Sequence, residues 1–300
     1  MPEPTFANYA IKYSPLVDER FTEASKTDAL INKNYDFAGG KTVRIYSVGT
    51  TALTDYTVPE VGVGGWSRYG TPGELTNTIQ ELTLSQDKAF TFTVDKRVNM
   101  DTISVMDAGR ALRREVDEVI IPHVDKYRLN KIATGAGNYE SATSVEITSS
   151  NALDKFIDAV NCLTDHSVPE GGRVALISPH FYKCILLDSN FVKSTETAQS
   201  KLVNGQVGTL MGIPTVVLPT GYMPTKTIGS GNSAKTYQLE FMVTHPIAAV
   251  SPVKIEDYRV HMDPPGISGA LVEGRLYFDC FVLNNKKDAI YVHVGSTEVA

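Results

Sequence analysis

The 300 residues, 42% hydrophobic and 21% charged, suffice to bury one large core or two modest ones and exclude wholesale disorder. A formal net charge of -6 argues against a dedicated nucleic-acid binder, which normally carries a basic domain, and no stretch approaches the ~20 apolar residues of a membrane span. Cys162, Cys184 and Cys280 are an odd number without CxxC spacing, so they indicate neither a disulfide framework nor a zinc ribbon; three small buried hydrophobes in a reducing cytoplasm are expected.

The chain opens on Met1-Pro2-Glu3-Pro4, without the basic start and apolar run of a signal peptide. Residues 1–37 then mix prolines with scattered aromatics, among them Phe6, Tyr9, Tyr13, Phe21, Tyr35 and Phe37. Disordered tails are poor in aromatics, so this composition suggests an arm whose rings fill pockets on another surface, with a short helix over 15–30. A frayed terminus is the plainer alternative.

Thr42 to Val48 alternates and is rich in β-branched residues, the signature of a strand. A polar, turn-rich stretch follows from Gly49 to Thr76, with Pro59, Pro72 and six glycines, before a second extended run from Thr78 to Leu84 and on through Ala89 to Asp95. Strands flanking so long a loop predict a projecting hairpin far beyond ordinary hairpin length. Trp66, Arg68 and Tyr69 near its middle are residue types enriched at interfaces, and are expected to touch another subunit.

From Asp107 to Thr134, Ala108, Leu112, Val116, Val119, Ile120, Val124 and Tyr127 recur at spacings of three and four and predict a long helix. Pro122 should kink or divide it. Asp95, Asp101 and Asp107 bracket its start, where carboxylates cap free N–H groups and favour the helix dipole; a magnesium site is the less economical use of them. Arg110, Arg113, Arg114, Lys126, Arg128 and Lys131 give it a basic side, whose plain reading is a solvated face paired with its own carboxylates.

An α/β stretch follows: a helix over 151–165, a buried strand over 173–178, a short helix opened by Pro179, and a tight turn feeding a strand over 208–217. The chain closes with strand-like runs over 276–283 and 289–294, separated by Asn284 to Lys287 as a hairpin turn would separate them.

No constellation with catalytic spacing stands out. The six histidines are scattered, Gly266-Ile267-Ser268-Gly269 lacks the frame of a nucleophile elbow, Gly62-Val63-Gly64-Gly65 lacks phosphate-loop spacing, and no metal or cofactor set is legible. An enzyme would need a site assembled from distant residues such as His245 and Asp263.

The order of aromatic arm, giant hairpin, proline-kinked helix, α/β segment and closing strands resembles the major capsid proteins of tailed bacteriophages, the Hong Kong 97-like fold. Ser85 to Asp101 is similar to that family's passage from extended loop to spine helix. Glu118-Val119-Ile120-Ile121-Pro122-His123-Val124-Asp125-Lys126-Tyr127 resembles its E-x-x-x-P-x-x-D-x-Y segment, Ala175 to Tyr182 and Gly208 to Val217 look like pieces of its axial domain, and Arg275 to Val294 resembles its closing strands.

The resemblance implies an α+β fold: N-terminal arm (1–38), extended β-hairpin loop (39–94), peripheral domain with the spine helix (95–147), axial domain (148–262), and closing strands of the peripheral domain (263–300). It implies a non-enzymatic subunit, without cofactor, that assembles with itself into pentamers and hexamers of an icosahedral virion capsid. The shell would enclose double-stranded DNA without sequence-specific contacts or a membrane, and would be made in a bacterial cytoplasm with a portal and, in some phages, a decoration protein. Lumen-facing charge would come from Arg110, Arg113 and Arg114. A start at Met1 with no long leader suggests a separate scaffolding protein, and the absence of lysine from residues 50–80 suggests a shell without covalent cross-links through that loop. An encapsulin-like compartment, with the same fold around an enzyme cargo, is the nearest alternative.

Overall fold

The computed structural model of the chain describes residues 25–32, 42–56, 69, 74–97, 108–140, 146–188, 209–229 and 234–298. They fall into two units, Gly39–Thr83 and the remainder of the chain. The expected helix over 15–30 lies mostly outside the described residues, which show a single 3-10 turn at Asp28–Leu30.

The smaller unit is a two-stranded ribbon. Strand β1 (Thr42–Val48) pairs antiparallel with β2 (Asn77–Thr83), setting Thr42 opposite Thr83, Tyr46 opposite Ile79 and Val48 opposite Asn77. Because side chains alternate faces along a strand, one face carries Thr42, Arg44, Tyr46 and Val48 with their partners Thr83, Glu81, Ile79 and Asn77, and all eight are exposed.

In the larger unit, β3 (Gln86–Asp95), β11 (Val253–Met262) and β12 (Gly269–Phe278) form an antiparallel three-stranded sheet with β12 in the middle. Residues 86–94, assigned from sequence to the extended loop, thus pair with a strand almost two hundred residues away rather than with β1. Over the sheet lie helix α1 (Ala108–Glu115), a π-helical turn at Val116–Ile120 and helix α2 (Ile121–Thr134). The break has the expected cause. Pro122 offers no N–H to the carbonyl of Glu118, and its ring crowds the preceding turn, so the chain widens its turn just ahead of it. Leu112, Val116, Ile121 and Val124 bury against Tyr258, Val272, Leu276 and Phe278 of the sheet.

A second, larger core surrounds a seven-stranded sheet ordered β4 (Asn138–Glu140), β14 (Ile290–Glu298), β9 (Lys235–Thr244), β5 (Val174–Ile177), β7 (Ile213–Val217), β6 (Thr209–Leu210), with β8 (Thr225–Ile228) also on β9. Strands β5 and β8 share one edge of β9, taking Phe241–Thr244 and Lys235–Gln238 respectively. Helices α3 (Ala152–Asp165) and α4 (Pro179–Leu187) bury Phe156 and Phe181 against Phe241, with ring centroids 4.5 to 6.4 Å apart. The later turns of α2 contribute Leu129 and Ile132, and the N-terminal segment contributes Leu30. At the helix end, Lys226 reaches in from β8 and donates to the carbonyls of Ala133 (3.2 Å) and Ala136 (3.3 Å), satisfying acceptors that a helix C-terminus leaves open.

One expectation is overturned. The two closing runs do not form a hairpin: β12 lies in the three-stranded sheet, whereas β14 pairs antiparallel with β9 and parallel with β4. Between them, Asp279 interrupts the strand, its carboxylate drawn inward by several hydrogen bonds. A short strand β13 (Phe281–Val282), paired with β10 (Ala249–Val250), and a 3-10 turn over Asn284–Ala289 carry the chain into the other sheet.

Candidate functional site

The feature that needs a partner is the ribbon. Its exposed face runs from a hydroxyl pair (Thr42 and Thr83, 2.8 Å) through an ion pair (Arg44 Nε to Glu81 Oε1, 2.7 Å) to an apolar end at Tyr46, Ile79 and Val48. Beyond it, Leu53, Tyr56, Tyr69 and Leu75 are exposed as well. Isolated two-stranded ribbons are marginal in water, and exposed apolar patches mark interaction surfaces. Of the six contact residues proposed from sequence, Phe6, Tyr9, Tyr13, Trp66 and Arg68 lie outside the described residues. Tyr69 is 80% exposed; its ring meets Tyr56 edge-on at 5.1 Å and its carbonyl accepts the Thr54 hydroxyl at 3.1 Å.

Two buried carboxylates on or beside α2 hold the segments that lead into the two ends of the unit. Asp125, 1% exposed, accepts from the Ser25 hydroxyl (2.7 Å), the Lys26 amide (3.0 Å) and the Thr27 hydroxyl (2.6 Å). Asp279, also 1% exposed, accepts from the Tyr127 hydroxyl (2.6 Å), the Cys280 amide (2.7 Å), and both the amide and hydroxyl of Ser85 (2.8 Å each). Burial, with the Asp279 carboxylate beside it, pushes the Tyr127 hydroxyl up to about 12. The proline, aspartate and tyrosine of the E-x-x-x-P-x-x-D-x-Y segment therefore each have a local task. None of these anchoring roles was visible in the sequence, because the partners lie 98 to 194 residues away.

Arg110, Arg113 and Arg114 are all exposed on the outer side of α1. Arg114 pairs with Glu118 one turn on at 2.9 Å, and Glu115 and Asp117 follow on the same stretch, so the local charge nearly balances. Asp95 caps a nearby turn, accepting from the Arg97 amide at 2.8 Å; Asp101 and Asp107 lie outside the described residues.

A row of polar groups runs from β9 to the first turns of α4. Glu240 accepts from the Ser178 hydroxyl at 2.7 Å and stands 3.2 Å from His180 Nδ1, and Cys184 Sγ lies 3.8 Å from His180 Nε2. The order cysteine, histidine, carboxylate resembles a nucleophilic triad, but burial and Glu240 push the Cys184 thiol up, away from thiolate, and Ser178 is occupied as the N-cap of α4, accepting from the Phe181 amide at 3.0 Å. His245 and Asp263 also have structural employment. His245 bonds to the Gly171 carbonyl at 2.9 Å and accepts from the Ile247 amide at 3.1 Å, and Asp263 accepts from the Gly269 amide at 3.1 Å in the turn between β11 and β12. Among the described residues, no group of three or more metal-ligating side chains converges, and no helix is long and apolar enough to cross a membrane.

No family model matches the sequence, and no curated protein is similar to it. Solved structures do match from end to end. The structure titled Mycobacterium phage Che8 superposes with a TM-score of 0.61 at 19% identity, over 88% of this chain and 89% of that one. The head structure of Helicobacter pylori bacteriophage KHP40 gives 0.61 at 11% identity, over 91% and 90%. This is the Hong Kong 97-like fold. A virus-like particle from Pyrococcus furiosus shares it at a TM-score of 0.54 and 12% identity, over 96% of this chain and 100% of that one. In this α+β fold, α1, the π-turn and α2 form the spine.

Proposed function

We propose that the chain is the structural, non-catalytic subunit of an icosahedral capsid that encloses the double-stranded DNA of a tailed phage. The observation that carries the proposal is the end-to-end likeness to subunits of phage heads, at TM-scores of 0.58 to 0.61 for the Ralstonia phage GP4 capsid and the KHP30 and KHP40 heads. The ribbon supports it, since an exposed apolar clasp has a purpose only against another surface. Permanent interfaces bury on the order of 2,000 Å² or more, and a projecting ribbon adds contact area without enlarging the core.

Under this proposal residues 1–38 are an arm, 39–94 an extended loop over a neighbouring subunit, 95–147 with the closing strands of 263–300 the peripheral domain, and 148–262 the axial domain at five-fold and six-fold centres. A separate scaffolding protein, a portal and, in some shells, a decoration protein complete the set. Subunits are made in the bacterial cytoplasm. Arg110, Arg113 and Arg114 face the lumen, where DNA is confined without sequence-specific grip.

Electron microscopy of the purified full chain tests the central claim: closed shells, pentamers or hexamers are expected, and a stable monomer overturns it. Deleting residues 58–72 should leave a folded subunit that closes no stable shell. With no lysine in residues 50–80, particles should run as single subunits on a denaturing gel; a covalent ladder would contradict that. The encapsulin-like reading is the alternative, and co-purifying cargo protein in place of nucleic acid would select it.

A further inference from the structure

The two buried carboxylates that hold the N-terminal segment and residue 85 are not independent. Arg128, 4% exposed, donates from one guanidinium nitrogen to the Thr27 hydroxyl at 3.3 Å and from Nε to the Ser251 hydroxyl at 2.9 Å. Ser251 donates in turn to the main-chain carbonyl of Asp279 at 2.8 Å. A continuous hydrogen-bonded path, buried at Asp125, Thr27, Arg128 and Asp279, therefore runs from Ser25 and Lys26 through Asp125, Thr27, Arg128 and Ser251 to Asp279, and from there to Tyr127 and Ser85.

The materials of this path are costly ones. Burial works against the charge on Arg128, with Asp125, Asp28 and Glu256 among the groups that offset it. Charged groups this deep persist only when every partner stays in place. Thr27 lies at the junction, wholly buried, bonded to both Asp125 and Arg128. Loosening either end must leave a donor or acceptor unmatched along the path, and that raises the cost of keeping the other end ordered.

We infer that this path is a conformational coupler: the anchorage of residues 25–27 and that of Ser85 form one thermodynamic unit, so that what displaces one loosens the other. In the chain, residues 25–27 lie within the proposed arm and Ser85 follows the last paired residue of the ribbon, Thr83. The inference rests on the proposed function only for its use, namely that a subunit whose arm has docked would have its loop segment set as well. The coupling itself is a property of the single chain.

The test is amide hydrogen exchange on the purified full chain, measured separately at Lys26 and Ser85. Coupling is reciprocal. Asp279→Asn should speed exchange at Ser85 and also at Lys26, and Asp125→Asn should speed it at Lys26 and also at Ser85, with equal cross-effects of about fivefold or more, the low end of ordinary coupling. Ser251→Ala removes the middle of the path and leaves both carboxylates. In that background each cross-effect should shrink toward onefold while the effect at the substituted end remains. Should either Asp→Asn chain fail to fold, Ser25→Ala and Ser85→Ala, which each remove donors from one end only, serve in its place. Effects confined to the substituted end overturn the coupler, as do cross-effects that Ser251→Ala leaves intact. Neither result bears on whether shells form, so the failure of one reading cannot be mistaken for the failure of the other.

Discussion

Phe90 and Tyr258 meet across a strand that separates them, their ring centroids 6.0 Å apart over Gly274. The register of the three-stranded sheet puts the three residues in one row, Tyr258 opposite Gly274 and Gly274 opposite Phe90. All three side-chain positions face the spine, and the middle one is empty. Glycine weakens a strand interior, so its place here has to be explained by what it admits. A Cβ at position 274 would lie 2.1 Å from Phe90 Cε1 and 2.7 Å from Tyr258 Cδ1. Gly274→Val should therefore destabilise the chain by ~1 to 3 kcal/mol, the ordinary cost of overpacking. Denaturant midpoints check this, and Gly274→Ala should cost less when Phe90→Leu has already withdrawn one ring. An unchanged midpoint for Gly274→Val would show that the rings yield freely.

Acid should strike the larger core through His293. This residue is 1% exposed on β14 and stacks on Phe241, with ring centroids 5.1 Å apart. Burial holds its pKa below the usual histidine value, while Glu140 (3.3 Å from Nε2) and Glu240 pull the other way and Lys155 adds to the lowering. A depressed folded-state value means the unfolded chain takes up the proton first. The stabilisation is present above the unfolded pKa of ~6.5 and is lost as pH falls below it. Wild-type stability should drop between pH 7 and 5, and His293→Leu should flatten that part of the profile. A His293→Leu profile parallel to the wild type would place the acid sensitivity elsewhere.

The parts of this fold that could be read in advance are those whose cause is local. The spine shows its helical stripe within thirty residues, and Pro122 breaks it for a reason present in its own ring. The ribbon strands carry their alternation openly. Pairing was another matter. The runs on either side of Asn284 to Lys287 look like a hairpin by every local signal, and they separate because Asp279 finds Ser85 and Tyr127, which no local pattern reveals. Strand β9 is the opposite case. It sits inside the larger sheet, and Tyr237, Leu239 and Phe241 alternate with Gln238 and Glu240 as a strand requires, so its cause is local although its partners β5 and β14 lie far off in sequence. Anchors such as Asp125 were visible only as members of a motif, because a carboxylate's purpose depends on donors that folding brings to it.

Alkali should find Tyr127. With its pKa pushed up to about 12 by burial and by the Asp279 carboxylate, it ionises later than a tyrosine in the unfolded chain, near ~10. A raised folded-state value contributes stability that is complete below pH ~10 and lost as pH climbs from there toward the folded value. Absorbance titration of tyrosinate should show a late-ionising group that disappears in Tyr127→Phe. The same substitution should lower stability at pH 7, since it takes from a buried carboxylate a hydrogen bond of ~1.5 to 3 kcal/mol. Tyr291, also raised by burial and Glu140, should titrate late in both chains and serves as the internal control.

The ribbon face separates two kinds of exposed residue. Arg44 and Glu81 are paired but each is more than half exposed, and such pairs contribute about 0 to 1 kcal/mol; Arg44→Ala should leave both folding and assembly close to unchanged. Tyr46 and Ile79 sit opposite each other one row apart from that pair, 63% and 52% exposed, with nothing among the described residues to account for two large apolar side chains there. If the ribbon clasps another subunit, Tyr46→Lys with Ile79→Lys should give a chain of nearly wild-type thermal stability that forms no closed shells. The substitution adds charge where a partner must exclude water, while the folded subunit loses little. Normal shells from that variant would remove the apolar face from the assembly contact, and a large fall in thermal stability would assign the pair to the subunit's own fold.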